Sequence, residues 1–176
     1  GQVPPRGAWP QWLKGALAAV LMIAALTVAF NWQTMHIYQK YFTQSLPEAV
    51  VPWQKLSGDM DETAALASMP GLPWRCIKDE TANRHRTCYT AANRINGHAA
   101  LTVAMFFRNG RLQVVTVHVP WWAHREATLA LVRDYGKSTG RGRATGSDDL
   151  LLGWRMPGGE LAINCNRSMN PLQWSA

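Results

Sequence analysis

Hydrophobic positions fall into three regimes along the chain. From Gly15 to Met35 no side chain is charged, and Gly15–Phe30 reads GALAAVLMIAALTVAF. From residue 36 to 73, apolar residues first recur at helical spacing and are then interrupted by prolines. From residue 74 onward they occur in short runs bounded by turn residues. This order predicts a long apolar helix, a helical connector and a sheet-rich domain.

The first regime predicts a transmembrane helix over residues 15–35. Twenty helical residues at about 1.5 Å each span about 30 Å, the thickness of a bilayer core. Trp12 and Trp32 bracket the stretch, as the aromatic belts of the two interfaces require. A cleaved signal peptide is the rival reading, with Thr27-Val28-Ala29 as its small-residue site. Arg6 and Lys14 precede the helix, and the first fixed charge beyond it is Lys40. By the positive-inside rule, residues 1–14 are expected to be a cytoplasmic segment and the C-terminal domain to be periplasmic, with the helix in a bacterial inner membrane. Gly15, Ala19, Ala25 and Ala29 have small-xxx-small spacing and form an expected helix-packing face.

In the second regime Trp32, Met35, Tyr38 or Gln39, Phe42 and Leu46 continue a helical stripe that Pro47 and Pro52 end. A short helix, DMDETAALASM, follows, with Asp59 as the expected N-cap and Glu62 as its capping-box partner. Residues 36–73 thus read as a helical stalk and linker, and residues 74–176 as the extracytoplasmic domain.

In that domain, residues 98–107 and 111–119 read as two strands joined by Asn109-Gly110, a type I′ turn pair. The simplest register puts Leu101, Val103, Met105 and Phe107 on one face with Leu112, Val114 and Thr116. The other face, with Ala100, Ala104, Phe106, Val115, Val117 and Val119, is also apolar. A sheet apolar on both faces is covered on both sides or docks on something. Residues 123–135 read as a helix with a Thr128, Leu131, Val132, Tyr135 stripe and Gly136 as its stop. A flexible loop, KSTGRGRATGSDD, leads to a second hairpin, 150–155 and 160–165, turning at Pro157-Gly158-Gly159. Trp74–Lys78 and Arg86–Ala91 suggest a further short hairpin. The expected fold is α+β: an antiparallel sheet of order β-β-α-β-β with a helix packed on one face.

Charge sharpens this division. Residues 1–73 carry four basic and four acidic side chains, whereas residues 74–176 carry fourteen and seven, so the whole +7 belongs to the domain. Lys137, Arg141 and Arg143 concentrate it in the glycine-rich loop, facing anionic lipid or an acidic partner. Nucleic acid is excluded as a partner, because no recognition motif accompanies the charge. Pro120-Trp121-Trp122 stands out among nine tryptophans. Adjacent tryptophans point in different directions, so one is expected at a surface that meets lipid or protein.

Chemistry-bearing patterns are few. Cys76 and Cys88 enclose a polar loop and are expected to form a disulfide, with Cys165 left over; pairing of Cys165 with either is the alternative. His98 and His118 are conceivable neighbours on the hairpin but lack an evident carboxylate. Gly136-Lys137-Ser138-Thr139 is similar to the end of a phosphate-binding loop, but Leu131 stands where a glycine is required and the preceding helix is on the wrong side. No nucleophile elbow, paired carboxylates or cofactor motif is evident. The expectation is a non-catalytic accessory subunit, without cofactor, that docks on integral membrane protein subunits of a larger complex, such as a respiratory or photosynthetic one, and touches membrane lipid. The alternative is an anchored periplasmic binding or sensor domain for a small ligand, peptide or cell-wall polymer.

Overall fold

The computed structural model describes residues 10–30, 32–78, 85–143 and 150–165. Helix α1 spans Gln11–Phe30 and buries none of its side chains. It is long and apolar enough to cross a membrane. Helix α2, Trp32–Thr43, follows it as the expected stalk.

The connector after α2 is not a linker. Strand β1 (Glu48–Ala49) pairs in parallel with β4 (Arg94–Ile95), which pairs with β5 (His98–Ala99). Asn96-Gly97 forms the β4–β5 turn, with both residues at positive φ. The Asn96 side chain acts as an extra peptide group: its Oδ1 accepts from Val51 N at 2.7 Å and its Nδ2 donates to Val51 O at 3.2 Å. Helix α3 (Glu62–Ala67) is capped by Asp61, whose carboxylate accepts from Ala64 N at 2.8 Å. The cap falls two residues later than the sequence spacing suggested, which releases Glu62 for another partner. Val51, Ala65, Met69 and Leu72 are buried in the main core. The expected linker thus forms one wall of the domain.

The other wall is an antiparallel sheet in the order β2-β3-β6-β7: Arg75–Lys78, His85–Ala91, Thr102–Arg108 and Arg111–His118. Both hairpins anticipated here are present, and Asn109 and Gly110 have the positive φ of a type I′ turn. Two expectations are corrected. The run 98–107 is not one strand: it bends at Ala100-Leu101, so its two parts serve different sheets. The β6–β7 register also shifts between Phe106 and Phe107, where Gln113 is the extra residue. A bulge reverses the alternation beyond it. Val115 and Val117, not Val114 and Thr116, therefore join Val103 and Met105 on the core side.

A third sheet, β10-β9-β8, contains Leu150–Met156 (β9), Gly159–Asn164 (β10) and Gly140–Arg143 (β8). The glycine-rich loop is thus partly a strand. Helix α4 (His124–Tyr135) lies against this sheet: His124 Nε2 is 2.9 Å from Asn164 O, and Trp154 Nε1 donates to Gly136 O at 2.9 Å. Its buried face is Ala123, Ala127 and Ala130, while Val132 of the expected stripe is exposed. Gly158 is required by packing, since a Cβ there would collide with the Leu56 carbonyl. The observed order is more elaborate than β-β-α-β-β, although the class, α+β with antiparallel sheets, is as expected.

The register makes a direct prediction. Met105→Ala, at a fully buried site, is expected to cost about 2–4 kcal/mol of stability. Val114→Ala, half-exposed on the opposite face, is expected to cost less than about 0.5 kcal/mol. Urea unfolding of the two variants measures both, and equal losses would contradict the bulge.

Candidate functional site

Three places gather the residues that could act. The first is the junction of stalk and domain. Pro120 is buried and turns the chain out of β7, which aims Trp122 at α2. The Trp122 ring centroid is 5.5 Å from Tyr38, 5.9 Å from Tyr41 and 5.7 Å from Phe42, with Phe42 stacked. Trp121 meets Trp122 edge-on at 5.8 Å. Tyr38 is buried, and desolvation raises its phenol pKa. The tryptophan pair therefore clamps the domain to its own stalk.

The second place is the outer face of the four-stranded sheet. Ile77, Thr87, Phe106 and Val114 are neighbours across all four strands, and Tyr89 and Ala104 lie in the adjacent row. Ile77 is 57% exposed, Tyr89 39%, Phe106 40% and Val114 50%. Together they offer an apolar patch on the order of 300 Å². The sequence marked this face as apolar but assigned Val115 and Val117 to it, because alternation alone does not reveal a bulge.

The third place is the disulfide. Cys76 and Cys88 face each other across β2 and β3 and are bonded, with Cα atoms 4.0 Å apart. Closing this loop stabilises the fold by about 2–3 kcal/mol in the chain-entropy model. Cys88 is fully buried and Cys76 partly so. Above them, Glu62 Oε1 lies 3.9 Å from Cys88 Sγ and 3.2 Å from Arg86 Nε. The Arg86 contact is ionic rather than an aligned hydrogen bond, since its Nε has no hydrogen-bond partner. Among the described residues, Glu62, Cys76 and Cys88 form the one group of three metal-ligating donors, within 4.8 Å of one another. Cys165 is a free, half-buried thiol.

The remaining anticipated residues are dispersed. Lys137 and Arg141 are exposed, Arg141 on β8 rather than on a loop; Arg143 ends that strand, and 144–149 lie outside the described residues. Gly15, Ala19, Ala25 and Ala29 lie along α1, which buries none of its side chains. His98 finds the carboxylate the sequence did not reveal, with its Nδ1 3.3 Å from Glu126 Oε1 on α4. His118 pairs with Thr102 in the sheet. Comparison with known protein families, characterised proteins and solved structures gives no match.

Burial holds the His118 imidazole below its ordinary value of 6.5. The fold thus favours the neutral ring, and the unfolded chain binds more protons between the folded pKa and 6.5. This contribution is intact above pH 6.5 and is lost as pH falls through the lowered folded pKa. His118→Gln should therefore flatten the loss of stability between about pH 7.5 and about pH 5.5. Urea midpoints at the two pH values provide the check, and an unchanged pH dependence would contradict the assignment.

Proposed function

We propose that this chain is a single-pass accessory subunit. In this reading α1 anchors it beside the helices of a larger membrane protein complex, with its N-terminus in the cytoplasm of a bacterial cell. The domain docks on the periplasmic face of that complex. The observation that carries the reading is the uncovered apolar row Ile77, Phe106 and Val114 with Tyr89 beside it. Size decides how the docking works. A stable interface needs about 800 Å² from each partner, more than twice the patch. The sheet face is therefore one of two contacts, and α1, exposed along its whole length with Gly15, Ala19, Ala25 and Ala29 closely spaced, supplies the other. The clamp at Trp122 holds α2 against the domain, which limits the entropy lost on docking. The disulfide agrees with an oxidising compartment.

Isolation from native membranes tests this. The chain should remain in the membrane after alkaline carbonate washing and should co-purify in mild detergent with larger integral membrane proteins in fixed ratio. Phe106→Asp, on an exposed position, should leave the fold intact and reduce partner recovery at least tenfold. A clean wild-type monomer, or full recovery with the aspartate variant, overturns the reading.

A further inference from the structure

We infer that the Glu62, Cys76, Cys88 cluster is a redox-gated site for a divalent d¹⁰ cation, with zinc as the natural occupant. A tetrahedral zinc ion with Zn–S near 2.3 Å and Zn–O near 2.1 Å sets thiolate–carboxylate edges of about 3.6 Å and thiolate–thiolate edges of about 3.8 Å. The Cys88 Sγ to Glu62 Oε1 separation of 3.9 Å already approaches the first. The second needs only side-chain rotation, because both cysteines project from the same face at a directly opposed strand pair with Cα atoms 4.0 Å apart. All three donors lie within 4.8 Å of one another before any adjustment.

Charge also balances. Two thiolates and one carboxylate around Zn²⁺ leave one negative charge, and Arg86, 3.2 Å from the same carboxylate oxygen, neutralises it. Glu62 and Cys76 are partly exposed, which leaves a path for the cation and for a water as fourth ligand.

The disulfide and the metal exclude each other. Two equivalents of an external thiol reduce the S–S bond, giving two cysteine thiols and one external disulfide. Zinc binding then releases the two thiol protons. Reoxidation by a disulfide exchange partner expels the ion. The site is thus loaded only in the reduced protein.

The test uses the full chain in detergent carrying Cys165→Ser, with Zn²⁺ and Cd²⁺ as probes. It is reduced with a phosphine, desalted without oxygen and compared with its oxidised form. The reduced protein should bind one Zn²⁺ per chain, and Cd²⁺ should give a thiolate charge-transfer band in the ultraviolet. The oxidised form should show neither. Glu62→Gln should weaken Zn²⁺ binding at least tenfold while keeping both thiols. That variant separates a built site from two thiols on a loosened chain, which would bind independently of Glu62. Equal binding in both redox states, no binding after reduction, or unchanged affinity in Glu62→Gln overturns the inference.

Discussion

The domain depends on the closure of residues 48–72 over one face of the four-stranded sheet. Val51, Ala65, Met69 and Leu72 bury Cys88, Val103, Met105 and Phe107, and these residues together form the principal core. Asn96 fastens this wall by bonding both backbone groups of Val51, and Asp61 starts the short helix that supplies Ala65. A six-residue helix has no stability of its own. It exists because the sheet buries one side of it, and the sheet keeps a dry face because the helix is there. The disulfide sits at the edge of this core, beneath Glu62.

Covering one face leaves part of the other open, since Ile77, Phe106 and Val114 are exposed there while Ala104 is buried. The bulge at Gln113 decides which residues go where, by sending Val115 and Val117 inward and leaving Val114 beside Phe106 outside. The third sheet buries Trp154 and Leu161 and leaves Ile77, Phe106 and Val114 exposed. The aromatic clamp then joins the domain to α2 through Tyr38 and Trp122. One molecule therefore presents two exposed apolar surfaces, helix α1 and a row on the sheet face.

Much of this was legible in the sequence where local chemistry decides the outcome. Asn109-Gly110 marked its hairpin, the uncharged run marked α1, and the spacing of Cys76 and Cys88 marked their bond. Tertiary pairing hid the rest. Asn96-Gly97 carries the same turn signal as Asn109-Gly110 but joins strands of only two residues each, too short to show alternation. The proline-rich stretch from Pro47 to Pro73 reads as linker by composition and folds as core because the sheet needs a cover. Trp121-Trp122 was identified as unusual, but its partner on α2 is more than eighty residues away in sequence. The approach of Glu62 to the disulfide is equally non-local.

The central claim, that the open sheet face is a docking surface for another membrane protein, is tested most directly in native membranes. A photo-crosslinking residue placed at position 106 is compared with one at position 129, which is as exposed but lies on α4. The account predicts a discrete crosslink from position 106 to one larger integral membrane protein and none from position 129. No crosslink from position 106, or the same products from both positions, would contradict it.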